Sequence, residues 1–305
     1  MKKHPSYLNI NEIEFNERIK KAYQYLKSCI LCPHQCGVDR ISGQKGFCRS
    51  TGQIEISSFN AHFGEEPPIS GINGSGTIFF SNCTLRCVYC QNYPISQLGH
   101  GNKISVSELS QIMLALQKRK CHNINLVTPT HFVPQIISAI KKARSGGLCL
   151  PIVYNTSGYE SAETLQLLDG IVDIYLPDIK YSDDKLAEKY SKATNYSLVN
   201  KKALQEMYRQ VGNLKVDRKG IAISGLIIRH LVLPGKLSGT EKVLNWIAEN
   251  ISKEAYISLM AQYFPAFQAL EYPELSRRIT RNEYKKAKEI FDRCGLVNGW
   301  IQQDN

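Results

Sequence analysis

The sequence predicts an α/β fold, an incomplete (β/α)6 barrel behind a small Cys-rich N-terminal appendage. Three observations predict it. Six short apolar runs alternate with helical patterns from residue 77 onward, and such alternation implies right-handed crossovers and a parallel sheet covered on both faces. Polar residues follow each run, as they do where barrel strands end in a site. The cysteines fall into two spaced groups, one before the first run and one directly after it.

Length and composition set the bounds. The chain has 305 residues, 43% hydrophobic, enough for one large domain plus an appendage. We divide it at 1–75 for the appendage and 76–305 for the barrel. No apolar run reaches the ~20 residues a membrane span needs, and the Met1-Lys-Lys-His-Pro-Ser-Tyr7 start lacks the apolar core of a signal peptide. The expected location is therefore the cytoplasm, with no membrane partner. There, ten cysteines read as metal ligands or free thiols rather than disulfides. A net charge of +11 admits an acidic partner. The lysines, however, are scattered over helices such as Tyr284–Lys288, so nucleic acid is not favoured.

In chain order, residues 11–28 read as a helix, with Ile13, Phe15, Ile19, Tyr23 and Leu26 on one face. Cys29, Cys32, Cys36 and Cys48 follow at C-x2-C-x3-C-x11-C spacing. Glycines beside them permit tight turns. Four thiolates suit a closed structural zinc site or an auxiliary iron–sulfur cluster, and His34 could replace one of them. Ile54–Phe59 alternates as a strand. In residues 62–74 two prolines and three glycines argue against a helix. That segment is expected near the mouth of the site, with His62, Glu65 and Glu66 as candidates to touch substrate or to support the residues that do, or else as solvated groups of a rigid connecting loop.

The first buried run is 77–80. Cys83, Cys87 and Cys90 come next at C-x3-C-x2-C spacing. A loop leaving a strand end can turn three thiolates toward one point. Three thiolates hold three irons of a [4Fe–4S] cluster, whose usual complement is four cysteines, and leave one iron open. The remaining strands are read at 123–129, 151–155, 171–177, 225–233 and 256–262. Helices are read at 105–119 (capped by Ser105 or Ser107), 132–143, 162–168, 183–191, 196–211, 239–250 and 281–293. The strand ends carry Thr128-Pro-Thr130-His131, Asn155-Thr-Ser157-Gly158, Asp178-Ile-Lys180, Arg229-His230 and Met260-Ala-Gln262. Charges there need partners or cost several kcal/mol each, and a bound cofactor supplies partners. Cys121, Cys149 and Cys294 read as buried thiols.

C-x3-C-x2-C with Tyr89 before the last cysteine resembles the signature of the radical S-adenosylmethionine (SAM) enzymes. The resemblance implies a radical SAM partial barrel, a [4Fe–4S] cluster on Cys83, Cys87 and Cys90, and SAM on the open iron. It also implies reductive SAM cleavage to a 5′-deoxyadenosyl radical, fed by a one-electron donor such as flavodoxin or ferredoxin. Asp178-Ile-Lys180, Asn155-Thr-Ser-Gly158 and Arg229-His230-Leu-Val-Leu-Pro234-Gly235 are similar to stretches of the pyruvate formate-lyase activating enzymes. By that resemblance Tyr89, Asn155, Ser157, Asp178, Lys180 and His230 contact SAM, and the Thr128 and Thr130 hydroxyls are candidates to accept from its amino group, more weakly than a carboxylate would. Those activases carry Gly-Gly-Glu where this chain has Thr128-Pro129-Thr130, and they lack the N-terminal box. Phe63-Gly-Glu-Glu-Pro-Pro-Ile-Ser-Gly71 and Asn123-Ile-Asn-Leu-Val-Thr-Pro-Thr-His131 resemble an activase-related branch. The expected function is hydrogen abstraction from a polypeptide, as in glycyl-radical-enzyme activation. Alternatives are radical modification of RNA or a small metabolite, or a non-catalytic metal-binding protein.

Overall fold

The computed structural model describes residues 4–302. Helix α1 (Glu12–Lys27) starts at Asn11, whose side chain accepts the Glu14 N–H, and it buries Phe15, Ala22 and Leu26. The Cys box 29–48 is a run of turns leading into strand β1 (Ile54–His62). There follow α2 (Pro67–Ser70), β2 (Ser75–Phe80), α3 (Tyr93–Ser96), β3 (Asn102–Ile104), α4 (Val106–Lys118), β4 (Ile124–Val127), α5 (Val133–Ser145), β5 (Ile152–Thr156) and α6 (Ala162–Gln166). The chain continues through β6 (Ile174–Pro177), α7 (Asp184–Ser191), α8 (Tyr196–Val211), β7 (Lys215–Val216), β8 (Ala222–Leu231), α9 (Thr240–Asn250), β9 (Tyr256–Met260), α10 (Arg281–Arg293) and β10 (Asn298–Ile301).

The six expected parallel strands are present, but the sheet is larger. Its order is β10-β9-β8-β6-β5-β4-β2-β1-β3, with β7 paired to β8. The run from β2 to β10 is parallel, while β1, β3 and β7 pair antiparallel. A seventh parallel strand, β10, thus corrects the (β/α)6 count. Its Asn-Gly-Trp-Ile sequence opens on a turn dipeptide and is short, so it carries little strand signal. β1 is part of the same sheet, and α1 places Phe15 and Ala22 in the main core. The segment before residue 76 is therefore continuous with the sheet. Among the described residues no helix is long and apolar enough to cross a membrane.

Strand parity divides the side chains. Tyr154, Tyr175, Ile228 and Ile257 point outward into the helix-covered core. Val153, Ile174, Leu176 and Ile227 point inward and pack on Ile69. Each such buried side chain contributes roughly 1.5–3 kcal/mol. Ile69 lies on α2, the helical turn that the prolines were expected to forbid. Pro67 and Pro68 instead occupy its first positions, where a missing N–H costs nothing. The Asn123 side chain donates to the Ile69 carbonyl at 2.8 Å, at the start of β4. This segment thus enters the sheet's inner face from the N-terminal ends of the strands, not at the mouth. α4 begins at Ser105, with Glu108 completing a reciprocal capping box.

Candidate functional site

At the end of β2 the chain turns through Asn82 (φ 71°) into the loop of Cys83, Cys87 and Cys90. The loop is fixed from both sides. Arg86 and Val88 N–H donate to the carbonyls of Ser191 and Tyr190, and Gln268 N–H donates to Val88. All three thiols are free; Cys83 and Cys87 are buried and Cys90 half-buried. Each sulfur has its own hydrogen-bond partner: Leu85 N–H donates to Cys83 Sγ at 3.3 Å, the Ser191 hydroxyl to Cys87 Sγ at 3.1 Å, and Ser96 Oγ lies 3.0 Å from Cys90 Sγ. Burial pushes the Cys83 thiol up to about 12, with Cys87 adding to the effect. Burial pushes Cys87 up to about 11, against the pull of Lys180. Tyr89 packs edge-on against Tyr181 and Tyr263, so the loop sits in a tyrosine-rich core of its own.

The donor set suits a cluster. Among the described residues no group of three or more His, Cys, Asp or Glu side chains could hold a single metal ion. A cluster takes one thiolate per iron and does not need three sulfurs around one ion. Three undisulfided thiols, two with a donor aimed at the sulfur and the third beside the Ser96 hydroxyl, meet that requirement.

Beyond the loop, inward-facing polar residues form one network. Asp178 accepts from Arg229 Nε at 2.8 Å and from Lys180 Nζ at 2.5 Å. Arg229 also donates to Asn155 Oδ1 at 2.6 Å and lies 3.6 Å from Glu65. Glu65 accepts from Asn125 at 3.0 Å and Asn155 at 3.4 Å. Burial alone would raise the Asp178 pKa, but Arg229 and Lys180 outweigh burial and hold it below the usual carboxylate range. Lys180 in turn is raised, its burial outweighed by Asp178 and Cys87. A cavity of about 220 Å³ opens on this network, lined among others by Glu65, Glu66, Asn92, Asn155, Arg229 and Trp300. Side chains from β2, β4, β5, β8, β9 and β10 converge on it, so the sheet curls into a partial barrel.

The structure therefore brings together Asn155, Asp178 and Lys180 of the expected SAM contacts, within electrostatic reach of the cysteine loop. The other expected contacts lie around this group with partners of their own; Thr128 N–H donates to the Asn155 carbonyl. Thr128 takes a positive φ of 59° after β4, and the Thr130 hydroxyl donates to Glu160 at 2.6 Å. Ser157 lies in the turn after β5, its carbonyl accepting from the Tyr196 hydroxyl. His230 faces outward: Nδ1 donates to the Ile179 carbonyl at 2.7 Å, and Nε2 is 3.0 Å from Thr240 Oγ1. Burial lowers its pKa to about 4, so the ring is neutral. Strand parity gives the interior to Arg229 instead. Sequence reasoning left Arg229 and Asn125 without a role and missed Glu160, which also accepts from Thr156 and Tyr154. Alternation along β4 and β8 was the signal for the first two.

The N-terminal box docks on the same loop. Cys29, Cys32 and Cys48 are buried and Cys36 half-buried. Phe47 N–H donates to Cys36 Sγ at 3.3 Å, and a Cβ at Gly46 would stand 2.8 Å from that sulfur. Burial raises the Cys32 thiol, and Cys48, Cys29 and Cys36 add to it. The other three cysteines thus lie near Cys32, while among the described residues no three such side chains are placed to hold a single ion. His34 does not turn into the box. Its Nε2 meets the Thr84 carbonyl at 2.8 Å, and its ring stacks on Phe47. Arg86 in the loop covers the other ring contact of Phe47, 5.2 Å from the centroid.

A three-cysteine loop at the C-terminal end of the first barrel strand, beside inward charges on the next ones, defines an α/β partial-barrel protein with its candidate site at the strand ends. A model of the radical SAM superfamily matches residues 77–227. An uncharacterised protein of Methanocaldococcus jannaschii is 32% identical over 300 residues, covering 95% of this chain and 81% of that protein. The chain belongs to the radical SAM superfamily. That membership implies use of a [4Fe–4S] cluster and SAM. Among solved structures, the FeFe-hydrogenase maturase HydG from Carboxydothermus hydrogenoformans is similar in fold, with TM-score 0.50 and 13% identity over 73% of this chain. A second HydG structure has TM-score 0.50 and 12% identity over 98% of this chain. These likenesses show the fold alone, and this chain spans 52% and 59% of those chains.

Proposed function

We propose that this protein is an enzyme that cleaves SAM reductively and abstracts hydrogen from its substrate. Bound at Cys83, Cys87 and Cys90, a [4Fe–4S] cluster would supply the electron that splits SAM into methionine and a 5′-deoxyadenosyl radical. The chain's own residues do the rest. Asp178 and Lys180 offer a carboxylate and an ammonium for the polar end of SAM, and Asn155 a side-chain amide. The Tyr89, Tyr181 and Tyr263 rings keep water from the loop. The observation that carries the reading is the placement of three separately hydrogen-bonded thiols beside the Asp178–Lys180–Arg229 network. Tyr89, Thr128, Thr130, Ser157 and His230 act in this reading by shaping the loop and strand ends.

The finer reading is an activase acting on a polypeptide, supported by the Asp178-Ile-Lys180 and Asn155–Gly158 resemblances. It is tested by offering the reduced, SAM-loaded protein a glycine-deuterated loop peptide of a glycyl-radical enzyme. Deuterium should appear in 5′-deoxyadenosine; transfer from RNA but not from peptide would reverse the choice. The modest volume of the cavity, about 220 Å³, favours a second reading, a small metabolite. For the N-terminal box, Cys29, Cys36 and Cys48 gathered about Cys32 support a metal site, either a structural zinc or an auxiliary iron–sulfur cluster.

A further inference from the structure

The inner cavity has an acidic side whose Glu66 has no role in the network described above. Glu65 and Glu66 both line it, carried on the segment that enters from the N-terminal ends of the strands. Glu65 is occupied by Asn125, Asn155 and Arg229. Glu66 is different. It is only 2% exposed, and its Oε2 has no hydrogen-bond partner. It stands at the N-cap of α2 but makes no capping bond. Ser258, buried on the inner face of β9, makes no well-formed hydrogen bond, but its hydroxyl is near enough to Glu66 to favour the carboxylate weakly. Three carboxylates (Glu65, Glu66, Asp178) here face two cations, Arg229 and Lys180. The donors of both cations point at Asp178, Asn155 and Glu65. One buried carboxylate is thus left over, and an unpaired buried charge costs several kcal/mol. Burial raises the Glu66 pKa and Glu65 adds to it, while Arg229 and, more weakly, the Ser258 hydroxyl oppose. Wall residues Phe79, Val127, Met260 and Trp300 are apolar and suit a short carbon stem.

We propose that Glu66, with Glu65 beside it, receives an organic ammonium group of the substrate in this cavity. The group neutralises the surplus carboxylate, while its stem lies along Val127, Met260 and Trp300. This orients the substrate's carbons toward Asn92 and the cysteine loop. The inference rests on the proposed radical chemistry only for which atoms then react; the ammonium site itself is readable without turnover.

The test titrates the anaerobically reconstituted full-length protein, with and without SAM, with n-butylammonium, butyrate and 1-butanol at constant ionic strength. Glu66→Gln is the variant, and thermal unfolding is recorded alongside. We expect saturable binding of n-butylammonium alone, weakened about tenfold or more by Glu66→Gln, with SAM affinity unchanged. The Glu66→Gln midpoint should be equal or higher, since the change removes a surplus buried charge. Absence of saturable ammonium binding overturns the proposal, as does equal binding by Glu66→Gln. A lowered unfolding midpoint marks Glu66 as structural and also overturns it. Loss of SAM affinity instead of amine affinity assigns the carboxylate to the SAM amino group, again overturning it. A protein that binds the amine yet never cleaves SAM keeps this site and loses the proposed activity.

Discussion

Asp178 holds two cations at once, Arg229 and Lys180, all inside the barrel. Removing its charge leaves both unpaired, so Asp178→Asn should cost about 3–5 kcal/mol in denaturant unfolding. Its depressed pKa fixes the sign with pH. The stability it contributes is present above the unfolded value of about 3.9 and is lost as pH falls through the folded value. Asp178→Asn should therefore flatten the acid limb of stability against pH. Glu160 runs the other way. Burial raises it to about 7, against three hydroxyl donors. Stability is then complete below the unfolded value of about 4.3 and is lost as pH rises toward 7. Unfolding midpoints of Glu160→Gln should lack that decline; an identical pH profile would contradict the assignment. Asp178 was legible in sequence because a charge in a buried strand demands a partner. Glu160 was not: it lies beyond its strand among hydroxyls, and nothing in the spacing of Thr130, Tyr154 and Thr156 predicts that they meet.

Elements set which residues become a site. Along β8, Ile227 and Arg229 share the inner face, while Ile228 and His230 share the outer one. Resemblance chose His230, and strand parity chooses Arg229. Helix extents were largely readable because apolar periodicity and caps such as Ser105 are local. The short β3, β7 and β10 were not, since sheet pairing rather than propensity creates them. The turn after β5 is equally exacting. Gly158 has φ 73°, and a Cβ there would stand 2.2 Å from the Asp178 carbonyl and from Asn200. Gly158→Ala should lower stability by about 2–4 kcal/mol. Gly212→Ala, at φ 66° with open space around it, should cost only about 1 kcal/mol. Equal losses would show that the backbone conformation, not the close approach, governs Gly158.

At the scale of the molecule, the N-terminal box and the cysteine loop are one assembly, joined through His34–Thr84, Phe47–Arg86 and Arg49–Gln97. The sequence showed two separate cysteine groups; their contact arises from long-range folding and leaves no trace in spacing. Cys32→Ala should lower metal content per chain and stability together, because metal binding contributes folding free energy. Cys121→Ala, outside both groups, should leave metal content unchanged. A Cys32→Ala protein with full metal content would remove the box from the account.

The most direct test of the central claim is dithionite-driven 5′-deoxyadenosine formation by the anaerobically reconstituted protein, compared with Cys87→Ala and Cys294→Ala. The account predicts one 5′-deoxyadenosine per methionine from the wild type and from Cys294→Ala, and none from Cys87→Ala. SAM left intact by a wild-type protein with a reduced cluster, or cleavage retained by Cys87→Ala, would contradict it.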